Sequence, residues 1–272
     1  MTQVSGKTVL ITGSTDGVGR AVATRLGAAG ARVLVHGRDA ARGDAVVAAI
    51  RAGGGEAEFL QADLSSLQEV RRLADDVGDK TRRLDILINN AGVGTGGTGG
   101  QRQVSSDGHE LRFAVNHLAG FLLTRLLLPR IQAAAPARIV NVASAGQQAI
   151  DFADVMLEHG YSGTRAYCQS KLAQVMFTID LAGELAGSGL TVNALHPASY
   201  MNTTMVREAG IDPWSSVDEG ADAIMRLAAS PSVEGKTGLY FSGLRETTAH
   251  AQAYDAQARQ QLRTLSMKLA GL

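Results

Sequence analysis

Seven short apolar runs recur along the 272 residues: TVLITG (8–13), RVLVHG (32–37), EAEFLQAD (56–63), LDILINNAG (84–92), ARIVNVAS (137–144), LTVNALHP (190–197) and GLYFSG (238–243). Several are continuously apolar rather than alternating, the pattern of central parallel strands covered on both faces. Helical spacing fills the gaps, over 18–29, 40–51, 66–77, 107–132, 161–186 and 216–229. Strand and helix alternating in this way require right-handed crossovers. The reading is an α/β chain, a doubly wound Rossmann-type sheet of mostly seven parallel strands with helices on both faces. No linker divides it, so residues 1–272 read as one domain, with a C-terminal helix over about 247–270.

Composition removes several functions. Net charge is zero at neutrality, with 26 basic and 26 acidic residues dispersed along the chain, so neither nucleic acid nor an anionic membrane surface is an expected partner. The longest apolar run, FLLTRLLLP, is broken by Arg125 and is too short to span a bilayer. One cysteine, Cys168, allows no intrachain disulfide and suits a reducing cytoplasm. Six scattered histidines lack ligand-like spacing, so no metal is expected. The glycine-rich GVGTGGTGGQ (92–101) reads as a loop tip, or as a lid.

The strongest local signal is TVLITGSTDGVGRAVATRLGAAG, a buried strand running through Gly13, Gly17 and Gly19 into a helix. Glycines there permit a tight turn and close approach of backbone to a pyrophosphate, which the helix N-terminus attracts. A second feature is Tyr167 with Lys171 in RAYCQSKLAQ, one helical turn apart. With five Tyr and five Lys, chance alone supplies roughly 0.1 such pairs, so the spacing by itself is weak.

Together these motifs resemble the short-chain dehydrogenase/reductase family. Thr12 to Gly19 is similar to its nucleotide turn, NNAG (89–92) to its fourth-strand motif, Ser144 to its fifth-strand serine, and Tyr167 with Lys171 to its catalytic pair. VNHLAGFLLT (115–124) and the C-terminal ARQQLRTLSMKLAGL resemble the retinol-dehydrogenase-like members. The resemblance implies an oxidoreductase on ketones, aldehydes or secondary alcohols, assembled as a homodimer or homotetramer, with the helices 107–132 and 161–186 as interface candidates. It implies a cofactor site of Gly13, Ser14, Thr15, Gly17, Val18, Gly19, Gly37, Arg38, Asp63, Leu64, Asn90, Ala91, Gly92, Tyr167, Lys171, Pro197 and Thr203. In its catalytic set Tyr167 moves the proton, Lys171 lowers the phenol pKa and binds the nicotinamide ribose, Ser144 holds the substrate oxygen, and Asn116 holds a relay water. Cys168 should point away from this face and pack in the core.

NADP(H) is expected over NAD(H). Gly37 stands where an NAD-binding fold places an acid, and Arg38 follows with paired donors suited to a 2′-phosphate. Asp63 matches the family's adenine-contacting acid or serves as a helix N-cap. The pattern departs after the sixth strand, where Pro197 precedes Ala198 rather than glycine and Thr203 falls one residue late, leaving Thr204 or a backbone group as substitutes. Met201, Met205, Val206 and Trp214 fall in the segment (about 198–215) that the family uses as a substrate lid, and Phe152, Val155, Met156 and Leu157 line a pocket or pack as a helix on their own domain. A non-catalytic NADP-binding scaffold and an epimerase or dehydratase are the competing readings; net NADPH consumption separates them.

Overall fold

The computed structural model describes residues 4–96 and 101–272, so part of the glycine-rich stretch, residues 97–100, lies outside the described residues. Eight strands form one sheet: β1 (Thr8–Ile11), β2 (Arg32–Gly37), β3 (Glu56–Gln61), β4 (Ile86–Asn89), β5 (Ala137–Val142), β6 (Leu190–His196), β7 (Tyr240–Ser242) and β8 (Arg245–Thr247). Their order is β3-β2-β1-β4-β5-β6-β7-β8, parallel except for the last pair. Helices α1 (Gly17–Ala28), α2 (Ala40–Ala52), α3 (Leu67–Lys80), α4 (Ala119–Gln132), α5 (Gly163–Glu184), α6 (Thr204–Glu208), α7 (Val217–Ala229) and α8 (Ala256–Ala270) flank it.

Successive strand residues point to opposite faces, and this builds two cores. Val9, Ile11, Val33, Val35, Ile86 and Ile88 meet Val22, Ile50 and Ile224 of α1, α2 and α7. Leu10, Leu34, Leu87, Ile139 and Val192 meet Leu73, Phe121 and Leu181 of α3, α4 and α5. Burying both faces explains why these strands lack apolar–polar alternation.

Several expected boundaries move. Strands β1, β3, β4 and β5 end two or three residues early, because the residues after them turn into loops along one sheet edge. The helix expected from 107 begins later: Gly108 adopts φ +81, Val104 bridges Glu110, and a wide π-type turn (Phe113–Leu118) precedes α4. The tail is not helical from 247. Gly243 (φ +56) and Leu244 reverse the chain, so β8 pairs antiparallel with β7, and Asp255 then caps α8. Residues 145–162 form turns rather than a helix. Phe152, Val155 and Met156, partly buried, pack against the cluster of Ile150, Leu172, Met176 and Leu262, and Leu157 is buried.

α8 covers α5. Leu262 and Ala258 are buried there, Arg263 pairs with Asp180 at 3.4 Å, and Ser266 meets His117 Nε2 at 2.8 Å. This face of α5 is therefore covered by the chain itself.

Candidate active site

The C-terminal ends of β1, β4, β5 and β6 meet along one edge, where the strand order reverses between β1 and β4. That is the crevice in which open α/β sheets bind ligands. The phosphate turn is fixed from behind. Thr12 Oγ1 accepts the N–H groups of Asn90 and Ala91, both at 3.0 Å, while Asn90 Nδ2 donates to the carbonyls of Thr12 (2.8 Å) and Gly13 (3.0 Å). Gly13 adopts φ +65 and Gly17 φ +51. A Cβ on Gly19 would lie 2.2 Å from the Gly13 carbonyl oxygen, and one on Gly13 would lie 2.8 Å from Ala91 Cα. Only glycine therefore fits at these two positions, and the strand and helix approach as closely as a dinucleotide-binding turn ahead of the α1 N-terminus requires.

Not every residue expected at the cofactor faces outward. Ser14 is fully buried; its hydroxyl donates to Ile11 O (2.8 Å) and accepts from His36 N (2.9 Å), so it shapes the turn. Val18 and Leu64 are buried among apolar side chains, and Ala91 packs against the core, which leaves their backbones for any ligand. Asn89, beside the motif's second asparagine, donates to Thr124 Oγ1 (3.0 Å) and Asn141 Oδ1 (2.9 Å), binding β4 to α4 and β5. His36 braces the turn without having been singled out in the sequence: its Nδ1 accepts from Gly13 N at 3.1 Å, and burial holds its pKa down to about 4.

At the far end of the turn, a Cβ on Gly37 would lie 2.5 Å from Thr15 Cγ2, so a side chain there collides with Thr15 as it stands. Arg38 follows, 71% exposed and 4.0 Å from Asp63. Asp63 is not the cap of α3. Ser66 is that cap, and Asp63 Oδ1 instead accepts from Ser65 N at 2.9 Å. Arg42, absent from the sequence reading, adds a second exposed guanidinium 3.8 Å from Asp16.

Ser144 follows β5, and Tyr167 and Lys171 lie on α5, whose Ser162 cap accepts from Arg165 N. Lys171 is 5% exposed; Nζ donates to Val142 O (2.9 Å) and Gln174 Oε1 (2.8 Å), and lies 5.7 Å from the Tyr167 ring centroid. Burial lowers its pKa to about 7. Tyr167 departs from the expected direction. Burial raises its pKa, outweighing the Ser144 hydroxyl that faces it and favours the phenolate.

A Cβ on Gly146 would lie 3.3 Å from Cys168 Sγ, 3.6 Å from Ser144 Oγ and 3.8 Å from Tyr167 Cε1. Gly146 thus keeps open the space beside both hydroxyls. Cys168 stands at that rim, half-buried rather than in the core, because the loop after β5 folds back over this side of α5. Burial raises its pKa, so the thiol stays protonated. Tyr240 of β7 holds the loop from beneath, its hydroxyl donating to Ser144 O at 2.9 Å.

Asn116 sits in the π-type turn, a geometry frequent at functional sites. Its Oδ1 accepts from Val93 N (2.7 Å), and Nδ2 donates to Val93 O (3.1 Å) and Ser170 Oγ (2.9 Å). Gly92 packs between Asn116 and Lys171: a Cβ there would lie 3.1 Å from Asn116 Oδ1 and 3.5 Å from Lys171 Nζ. Pro197 is buried where β6 ends. Thr203 rests its methyl on the phosphate turn, 3.1 Å from where a Gly17 Cβ would be. The adjacent Thr204 donates Oγ1 to Asp16 Oδ2 at 2.7 Å, so the segment after β6 lies over the turn. Among the described residues, no group of three or more His, Cys, Asp or Glu is placed to hold a metal, and no helix is long and apolar enough to cross a membrane.

The short chain dehydrogenase family model matches residues 7–213. Mouse (Mus musculus) retinol dehydrogenase 14 is 37% identical over 294 residues, covering 98% of this chain and 86% of its own. Human retinol dehydrogenase 12 is 36% identical, covering 99% and 88%. An uncharacterized protein from Mycobacterium paratuberculosis superposes with a TM-score of 0.81 at 31% identity, over 99% of this chain and 96% of its own. The RhlG/NADP complex of Pseudomonas aeruginosa superposes with 0.73 at 31% identity, over 88% and 95%. With the glycine turn, the NNAG brace and the Ser–Tyr–Lys cluster on one sheet edge, these likenesses make the chain a member of the short-chain dehydrogenase family and an NAD(P)-dependent oxidoreductase.

Proposed function

We propose that the protein is an NADP(H)-dependent carbonyl reductase, reversible as an alcohol dehydrogenase, acting on a small-to-medium apolar ketone, aldehyde or secondary alcohol. The observation that carries this is the convergence of Ser144, Tyr167, Lys171 and Asn116 on the sheet edge that holds the glycine turn. NADP(H), when bound, exchanges a hydride with the carbonyl carbon. Ser144 Oγ hydrogen-bonds the substrate oxygen, and Tyr167 passes it a proton. Lys171 holds the ribose and, when charged, stabilises the phenolate left behind. Asn116 carries the water that returns the proton.

The raised Tyr167 pKa keeps the phenol protonated at neutrality, which suits proton donation and hence reduction. Alcohol oxidation, which needs the phenolate, should accelerate as pH rises. Exposed Arg38 and Arg42 support the NADP preference, together with the lack of room for an acid at Gly37. The apolar substrate class draws support from Met205 and Trp214 on the lid, which are 40% and 75% exposed, and from the retinol dehydrogenases among the relatives. A single cysteine suits the cytoplasm. A homo-oligomer would have to use a surface other than the α8-covered face of α5.

Two measurements test the proposal. NADPH consumption with a panel of apolar ketones and aldehydes should be measurable, with kcat/KM for NADPH above that for NADH; a preference for NADH overturns the cofactor assignment. Tyr167→Phe should lower kcat by about 10²–10⁴-fold while NADPH still binds. Turnover retained in that variant removes Tyr167 from the proton transfer.

A further inference from the structure

Residues 93–96, which follow NNAG, take part in no backbone-to-backbone hydrogen bond among the described residues. Side chains hold them instead. Asn116 grips both the N–H and the carbonyl of Val93. Four residues earlier, Arg112 donates Nε to Gly94 O (2.8 Å) and Nη2 to Thr95 O (2.9 Å). Its remaining nitrogen, Nη1, donates to Tyr161 OH (2.6 Å) and Glu110 Oε1 (3.4 Å). Tyr161 donates to the same carboxylate at 3.2 Å, and Glu110 Oε2 accepts from Phe113 N at 2.8 Å. Arg112 and Glu110 are 4% and 1% exposed.

A buried ion pair adds little net stability, since apolar residues of the same volume often serve the fold as well. The bonding here points elsewhere. The guanidinium fork spends two of its three nitrogens on consecutive carbonyls of one loop, and Glu110 with Tyr161 fixes the third. The loop in turn touches the moving and reacting parts of the site. A Cβ on Gly94 would lie 2.9 Å from Met205 Cγ of the lid, and one on Gly163 would lie 1.9 Å from Thr95 O, four residues ahead of Tyr167 on α5.

We infer that Arg112 is a positioning residue. Braced by Glu110 and Tyr161, it sets the path of residues 93–96, and through that loop the Asn116 amide, the seat of the lid and the start of α5. Lysine has the charge without the planar fork and cannot replace it. Only the kinetic readout rests on the carbonyl reduction proposed above.

The test uses the full chain with NADPH. In Arg112→Met, kcat should fall about 10–100-fold, as expected of a catalytic geometry displaced by about 1 Å. NADPH affinity should stay near the unsubstituted value, because the phosphate turn is untouched. Amide hydrogen exchange over 91–96 should accelerate while β1 and β5 stay protected, and added methylguanidinium should restore part of kcat. Arg112→Lys should remain slow, and Tyr161→Phe should fall between it and the parent; these two carry the test if Arg112→Met does not fold. A folded Arg112→Met with unchanged kcat, unchanged exchange at 91–96, or full activity in Arg112→Lys overturns the inference. If the parent enzyme consumes no NADPH, the proposed reaction fails, while the exchange measurement still decides whether Arg112 sets the loop.

Discussion

The phosphate turn and the lid lie against each other yet are built in opposite ways. Residues 12–19 are held by Thr12, Asn90, Ser14 and His36, all buried or part-buried and bonded to backbone. The segment 198–215 closes mostly on itself, through Trp214 N to Tyr200 O (3.0 Å), the Met201–Ser215 bridge, Arg207 to Asn202 (2.7 Å) and an edge-on Tyr200–Trp214 contact at 4.8 Å, and it meets the turn through the Thr204–Asp16 hydrogen bond and the Thr203 methyl. Tyr200 is also in the left-handed region (φ +45), uncommon for a residue with a Cβ. Backbone bonded through buried partners opens rarely, whereas segments with few buried contacts open first. On the sites proposed above, the cofactor would sit on a loop braced by buried partners and the substrate beneath one that closes mostly on itself, as expected where lid motion gates turnover.

The largest departure from this contrast should come from stiffness itself. Gly19→Ala places a methyl 2.2 Å from Gly13 O and 2.5 Å from Asn90 Nδ2, which cannot both move aside. NADPH affinity should fall by about 100-fold, read by NADPH fluorescence titration, since overpacking costs typically 1–3 kcal/mol and would displace the turn from the α1 N-terminus. A variant that binds normally would mean the turn is more pliant than its bonding implies.

A smaller effect separates the buried cation from the lid. The folded pKa of Lys171, about 7, lies below its ordinary 10.5. Below pH 7 both folded and unfolded chains hold this proton, and the full cost of burying the charge is present. Between pH 7 and 10.5 the unfolded chain binds the extra proton, so stability rises with pH. The parent should therefore gain stability relative to Lys171→Met as pH rises from 7 to 10, seen by urea unfolding at each pH; a constant difference contradicts the lowered pKa. His36 works at the other end. Its folded pKa of about 4 lies below the ordinary 6.5, so its contribution is lost as pH falls from 6.5 towards 4.

The smallest effect belongs to the lid. Thr204→Val removes one hydrogen bond to Asp16, worth about 0.5–1.5 kcal/mol, so the rate of NADP(H) release should rise by about 3–10-fold with little change in Tm. A large drop in Tm would show that the segment is part of the fold's framework rather than a loose cover.

Much of this contrast was legible in the sequence because it is local. Continuous apolar runs mark the buried strands, and Gly13, Gly17 and Gly19 stand where the chain must turn tightly between strand and helix. Ser144, Tyr167 and Lys171 meet because β5 and α5 are adjacent elements of a known kind. The unread parts depend on partners distant in the chain: Arg112 on Gly94, Thr95 and Tyr161, His36 on Gly13, and Thr204 on Asp16. Two were within reach. Ser242-Gly243-Leu244-Arg245 carries the glycine of a two-residue hairpin, and Gln174, one turn beyond Lys171, is placed to accept from its ammonium. In the chain alone the Tyr167 pKa moves up rather than down, because charge can be counted in a sequence, while desolvation depends on the fold.

Gly37 and Thr15 also bear on how such an enzyme could change its diet of electrons over generations. The single step that would introduce an NAD-binding acid, Gly37→Asp, collides with the stiff, β-branched Thr15. On the proposed NADP preference, the first mutant should bind both nicotinamides poorly, and a smaller residue at position 15 should be needed before an acid at 37 could bring NADH binding. On that proposal, cofactor choice would depend on the order in which two mutations arrive.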